Sequence, residues 1–85
     1  MRIELNVPDY SPEHGLRMEW EDGCIISARA DSGQVVITAN REGLISLARL
    51  LLTLADERVP SGHHWHLDDS NSLEDGSIEV IIEKR

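Results

Sequence analysis

Alternation of apolar and polar residues dominates the beginning of the chain and predicts a series of β-strands. Two segments, at about residues 2–7 and 16–21, alternate in this way on either side of a proline-containing turn. Their apolar positions are Ile3, Leu5, Val7, Leu16, Met18 and Trp20. Because a period of two places alternate side chains on opposite faces of a strand, each segment predicts a strand with one apolar and one solvated face.

Two glycine-containing dipeptides divide the next segment into two further strands. Asp22-Gly23 and Ser32-Gly33 are typical of tight hairpin turns. They bound a strand from about Cys24 to Ala30 and lead into another from Gln34 to Ala39. The first part of the chain therefore predicts an antiparallel meander of four strands.

A long helix is predicted to follow, from Arg41 to about Arg58. Asn40 suits the N-cap, since its side-chain oxygen can accept free N–H groups of the first turn, and Glu42 suits the positive end of the helix dipole. At roughly 100° per residue the apolar side chains cover about 220°. The remaining arc is polar and holds Glu42, Ser46, Arg49, Thr53, Asp56 and Glu57. An apolar arc this wide needs extra cover at Leu50 and Leu54; we favour cover from within the chain, with a homodimer as the alternative.

Two more strands complete the pattern. One is the run His63-His64-Trp65-His66-Leu67-Asp68, and the other extends from Ser77 to Lys84. The order β-β-β-β-α-β-β over residues 1–85 predicts a single α+β domain. Its architecture would be a two-layer sandwich, in which a mainly antiparallel sheet carries the long helix on one face.

Three of the four histidines fall in the first of these two strands. Alternation places His64, His66 and Asp68 on the outer face, with Trp65 and Leu67 toward the core. Two imidazoles and a carboxylate are ligands that zinc accepts, but one strand alone does not guarantee that they converge, and a solvated strand face explains the same pattern. We therefore assign no metal or cofactor. A metal-binding or regulatory protein that uses the outer three residues is the alternative function.

The net charge and the lack of catalytic motifs narrow the function. Sixteen acidic residues against eight basic ones give a formal charge of −8, which disfavours nucleic acid and favours cationic partners, although acidity for solubility explains it equally well. The single cysteine, Cys24, lies in an apolar run without an adjacent base, which predicts an unreactive buried thiol. No apolar stretch has the length of a membrane span, and the N-terminus lacks a signal-peptide pattern. We expect a cytoplasmic, non-enzymatic protein that binds neither nucleic acid nor membranes.

Five stretches of the second half form a set that points to a family. They are Asn40 to Leu44, Leu51 to Ala55, Val59-Pro60, His64 to Asp68 and Asn71 to Glu79. Together they resemble the bacterial immunity proteins of polymorphic toxin systems, in the family numbered thirty-two. The resemblance covers roughly the C-terminal half of the chain. It implies a protein that protects its producer by binding and neutralising a cognate toxin.

The outer face of the predicted sheet is the candidate partner-binding surface. Its candidate residues are Glu19, Glu21, Asp22, His64, His66, Asp68, Asp69 and Glu79. The carboxylates would attract a basic surface and speed association, and the imidazoles change charge near neutral pH. The hypothesis is that this acidic face docks against a basic cleft of the toxin and blocks it.

Overall fold

The computed structural model describes all 85 residues and contains four strands and one helix. In chain order these are β1 (Ile26–Asp31), β2 (Gln34–Ala39), α1 (Arg41–Ala55), β3 (His64–Leu67) and β4 (Val80–Glu83). β1 pairs with β2 and β3 pairs with β4, both antiparallel, in two separate two-stranded sheets. The α+β class is confirmed, whereas the predicted single sheet of six strands is wrong.

The first two predicted strands do not form. Residues 1–25 contain no strand, and their one strand-like contact is an isolated bridge between Ser11 and Gly15. Within residues 16–20, however, the three apolar side chains are half-buried against the core and the two charged ones between them are exposed. The predicted alternation of burial is therefore real there. An extended backbone is enough to produce this alternation of burial. A β-strand also needs a hydrogen-bonded neighbouring strand, which this segment does not have.

Side chains from the start of α1 satisfy the backbone groups that the first predicted hairpin would have used. The Asn40 side chain accepts from the Ile25 N–H at 3.0 Å and donates to the Gly23 carbonyl at 2.9 Å. The Ser46 hydroxyl accepts from the Glu21 N–H at 2.9 Å. Since these hydrogen bonds from a distant segment take up backbone groups that strand pairing would otherwise use, the turn forms here without a ladder on either side.

The hairpin between β1 and β2 is confirmed. Ser32 and Gly33 both have positive φ, 50° and 80°, which is the combination of a two-residue type I′ turn. β2 spans the predicted range, Gln34–Ala39. The register is regular from this turn to the far end of β1, where Ile26 pairs with Ala39.

The helix begins where predicted and ends earlier. Oδ1 of Asn40 accepts the Gly43 N–H at 2.8 Å, which confirms the N-cap. The helix ends at Ala55, because the backbone of Asp56 leaves the helical region and its carboxylate accepts the Arg58 N–H at 2.9 Å. No helix in this structure combines the length and the hydropathy that crossing a bilayer requires.

The core lies between α1 and the two hairpins. Its nine buried side chains are Tyr10, Ile26, Ala28, Leu50, Leu54, Val59, Trp65, Leu67 and Leu73. Leu50 and Leu54 are thus buried by contacts within the chain, as we favoured. The Trp65 indole N–H donates to the Leu50 carbonyl at 2.8 Å and ties β3 to the helix. Cys24 is half-buried, not fully buried as predicted, because it precedes β1 at the edge of the core.

The buried side of α1 carries polar side chains that we had assigned to the polar arc. Ser46, Arg49 and Thr53 are buried, and the residues Leu44, Leu51 and Leu52 of the apolar arc are about half exposed. These polar side chains can be buried because each of their polar groups has a hydrogen-bond partner. The Thr53 hydroxyl donates to the Arg49 carbonyl at 2.7 Å, and Nε of Arg49 donates to the Asn6 carbonyl at 3.0 Å.

The chain before β4 joins the two hairpins. The Ile78 N–H donates to the Ala28 carbonyl at 3.0 Å, and the Ala28 N–H donates to the Ser77 hydroxyl at 3.1 Å. These residues cover the edge of β1 that β2 leaves free, since alternate residues of a strand direct their backbone groups to opposite edges. The last strand is therefore shorter than the predicted range, 77–84, because its first residues bond to β1 and not to β3.

Replacing Gly43 with alanine is expected to lower the free energy of unfolding by about 1–3 kcal/mol, the usual cost of overpacking. A Cβ at this position would lie 2.7 Å from the Ile25 carbonyl oxygen and 2.8 Å from Cγ1 of Ile26, so α1 and β1 would have to separate. Helix propensity alone predicts the opposite sign, a gain of about 0.5–1 kcal/mol. Urea denaturation measures the difference.

The exposed Leu44→Ala variant is the control for this measurement, and we expect it to change the free energy of unfolding by less than about 0.5 kcal/mol. A Gly43→Ala variant more stable than the parent protein would contradict the close approach of α1 and β1.

Candidate binding face on the second hairpin

The predicted orientation of β3 is confirmed. Trp65 and Leu67 are 4% and 2% exposed, whereas His64 and His66 lie on the solvent side. Shifting the strand by one residue would exchange its two faces and bury imidazoles in place of the indole. The core therefore determines which side chains this hairpin presents to a partner.

Three side chains of the outer face converge, and we refer to His66, Asp68 and Glu79 as the His66 cluster. Nε2 of His66 lies 3.8 Å from Oδ2 of Asp68 and 3.5 Å from Oε2 of Glu79. His66 pairs with Ile81 in the sheet, and continuing this register by two residues sets Asp68 opposite Glu79. The two carboxylates therefore face each other beside one imidazole.

A tight turn after β3 orients the carboxylate of Asp68. Its Oδ1 accepts from the Ser70 hydroxyl at 2.7 Å and from the Ser70 N–H at 2.9 Å. These hydrogen bonds, with a smaller contribution from the charge of His66, lower the pKa of Asp68 below its ordinary value. Asn71 closes the turn, since its side chain donates to the His66 carbonyl at 2.8 Å and accepts the Asp68 N–H at 3.0 Å. Oδ2 of Asp68 is the oxygen directed toward His66.

His64 does not join the cluster, so the trio of His64, His66 and Asp68 considered for a metal is not the one that converges. Nδ1 of His64 lies 3.3 Å from the Gly62 carbonyl oxygen. Residues two apart on a strand are separated by about 6.6–6.8 Å, whereas a neighbouring strand is only about 4.8 Å away. Glu79, which comes from the segment leading into β4, therefore takes the place that we had considered for His64.

The other predicted binding residues lie outside the cluster, and two of them have structural partners. Glu21 is half-buried and pairs with Nη1 of Arg49 at 3.5 Å. Oδ2 of Asp69 accepts the Gly76 N–H at 3.2 Å. Glu19 and Asp22 are exposed.

Sequence reasoning missed the residues that position this face. Ser70 and Asn71 orient Asp68, and neither was among the predicted binding residues. The succession of Asp, Ser and Asn directly after a strand is a signal for such a turn, since these side chains bond to nearby backbone groups.

The one cavity of the molecule is an apolar groove of about 570 Å³, and it lies elsewhere, between the N-terminal segment and α1. It is lined by Met1, Ile3, Leu5, Arg41, Leu44, Ile45 and Ala48. These side chains include no carboxylate, imidazole or thiol, so the groove supplies no group for acid–base or nucleophilic chemistry.

Fold and surface together describe a small α+β protein with a histidine-bearing, acidic strand face. A family model for Immunity protein 32 matches residues 34–85, which is more than half of the chain, and the protein belongs to this family. The family resemblance seen in the sequence is thereby confirmed. The matched region includes β2, α1, both strands of the second hairpin and the whole His66 cluster. No curated protein and no solved structure matches the chain.

Replacing Ser70 with alanine is expected to raise the pKa of Asp68 toward its ordinary value of 3.8, because the strongest hydrogen bond to the carboxylate is lost. A carboxyl group whose pKa is lower in the folded than in the unfolded protein stabilises the fold at pH values above its unfolded pKa. This stabilisation is lost as the pH falls through the pKa of the folded state. The variant should therefore lose less stability than the parent protein as the pH falls below about 4. NMR titration of the Asp68 carboxyl carbon measures the pKa.

Ser61→Ala, at an exposed serine in the turn before β3, is the control and should leave this pKa unchanged. An Asp68 pKa that is the same in Ser70→Ala and in the parent protein would show that the turn does not set it.

Proposed function

We propose that the protein is an immunity protein that binds a cognate toxin and neutralises it by covering a basic surface of the toxin. The match to the Immunity protein 32 family carries this proposal. The formal charge of −8 supports a basic partner, because opposite charges steer two proteins together and raise the association rate.

We infer that the toxin docks on the outer face of the hairpin formed by β3 and β4. His64, His66 and Glu83 are exposed there on short paired strands, and Glu79 is exposed directly before β4. The buried side chains of Trp65 and Leu67 hold these strands against the core, so little ordering is needed when a partner binds. A surface arranged in this way suits charge-assisted hydrogen bonds to lysine or arginine side chains.

The carboxylates differ in how free they are to bind a partner. The side chain of Glu79 is 69% exposed, whereas Glu21 is paired with Arg49 and Asp69 accepts a backbone hydrogen bond. We therefore assign the main contribution to the second hairpin, and a smaller one to the exposed Glu19 and Asp22, which remain part of the proposed surface.

The outer side of α1 supports a binding role in a different way. Leu44, Leu51 and Leu52 are 57%, 48% and 51% exposed, and they lie on the side of the helix that faces away from the core. Contiguous exposed apolar side chains are characteristic of surfaces that contact other proteins. This side of the helix is the rival location for the toxin in the experiment below. A homodimer that forms through the outer side of α1 remains a prediction.

We further propose that the protein acts in the cytoplasm, without enzymatic activity and without binding nucleic acid or membranes. A single free cysteine suits a reducing compartment, and the negative charge opposes contact with phosphates and anionic lipids.

Co-expression with a candidate toxin from a neighbouring gene tests the function and the docking face together. The parent protein should rescue growth, and a Glu79→Lys, Glu83→Lys double variant should lose protection, because it repels a basic toxin. The matched control is Glu4→Lys with Glu13→Lys, which makes the same change in charge at exposed positions of the N-terminal segment and should still protect.

With purified toxin, the hairpin variant should associate at least about tenfold more slowly at low salt, and this difference should shrink as ionic strength rises. Failure of the parent protein to rescue growth would overturn the immunity function. Loss of protection in a Leu51→Ser, Leu52→Ser variant, together with full protection by the hairpin variant, would move the toxin to the outer side of α1.

A further inference from the structure

We propose that the His66 cluster is a zinc site on the outer face of the second hairpin. Its three candidate ligand atoms, one each from His66, Asp68 and Glu79, all lie within 4.8 Å of one another. Ligands of a tetrahedral zinc ion lie about 2.0–2.2 Å from the metal, which places them roughly 3.3–3.6 Å apart. The distances from Nε2 of His66 to the two carboxylates, 3.8 and 3.5 Å, nearly meet this condition. Small side-chain adjustments would complete it.

The types of ligand favour zinc over magnesium and calcium. Magnesium and calcium prefer shells made of oxygen alone, and softer metals prefer thiolates. One imidazole with two carboxylates is a mixed nitrogen and oxygen set, which zinc accepts. A cation would also relieve the repulsion between Asp68 and Glu79, whose like charges face each other across the hairpin.

The ligands are already oriented for a metal. The two hydrogen bonds from Ser70 occupy Oδ1 of Asp68, and Oδ2 is the oxygen directed at His66. Such outer contacts are the means by which metal sites fix the orientation of a ligand. The backbone of His66 is held both by its pairing with β4 and by the side chain of Asn71. Ordering before binding reduces the entropic cost of forming the site.

The site is open to solvent. The side chains of His66, Asp68 and Glu79 are 46%, 24% and 69% exposed, so a hydrated ion can reach them directly. Three protein ligands leave at least one coordination position for water or for a donor from another molecule. Zinc binding needs no toxin, so its test is independent of the proposed immunity function.

Calorimetric titration of the untagged protein with zinc chloride tests the site. We expect one zinc ion per chain with a dissociation constant in the micromolar range. The variants His66→Asn and Glu79→Gln should bind at least about tenfold more weakly, since each removes one ligand. Cobalt(II) should give visible absorption bands of a four- or five-coordinate ion, and these should weaken in the same two variants.

The matched controls are His64→Asn and Glu83→Gln, which change the neighbouring cross-strand pair on the same face. They should bind zinc within about twofold of the parent protein. Circular dichroism checks that every variant is folded, and Asp68→Asn serves as a third ligand variant if either of the first two is not. The absence of zinc binding in the micromolar range would overturn the proposal. So would an equal loss on changing His64, because it would indicate nonspecific binding by the histidine run.

Discussion

The hydrogen bond from the Trp65 indole to the Leu50 carbonyl, 2.8 Å long and inside the core, is the interaction on which the presented surface depends. It joins the middle of β3 to the middle of α1. Because Trp65 lies between two histidines, anchoring the indole inward sends both imidazoles outward. The candidate binding face is thus a consequence of core packing.

The helix α1 has more apolar surface than the rest of a small protein can cover. It buries Ser46 and Thr53, whose hydroxyls bond to carbonyls one turn earlier, and leaves Leu51 and Leu52 half exposed. Arg49 then holds the N-terminal segment through the Asn6 carbonyl and pairs with Glu21. Hydrogen bonds from one helix thereby replace the strand pairing that the N-terminal alternation predicted.

Joining two small hairpins creates the proposed site. The segment before β4 leaves the edge of β1 after Ile78 and enters β4 two residues later, and Glu79 lies between these two contacts. Asp68 lies just beyond the end of β3, where the turn through Ser70 begins. The two carboxylates therefore meet next to His66 at the end of the hairpin where residues 68–79 connect the strands, and where the ladder has stopped and side chains have room to converge.

Local rules in the sequence determined much of this protein. The cap at Asn40, the hairpin turn at Ser32-Gly33 and the range of β2 depend on residues close together in the chain, and each was predicted. The alternation of β3 likewise predicted that His64 and His66 lie opposite Trp65 and Leu67. A family resemblance in the second half was likewise readable from short stretches.

Only the tertiary structure decided which elements pair and which residues meet. The alternation at residues 16–20 does not reveal that the side chains of Asn40 and Ser46 will form hydrogen bonds with the backbone that follows it. Helical periodicity likewise does not reveal that Ser46 and Thr53 face the core. Glu79 joins His66 through a strand register that no local pattern encodes. The reason is physical: hydrogen bonds and packing between distant segments compete with local preferences, and their outcome depends on the whole chain at once.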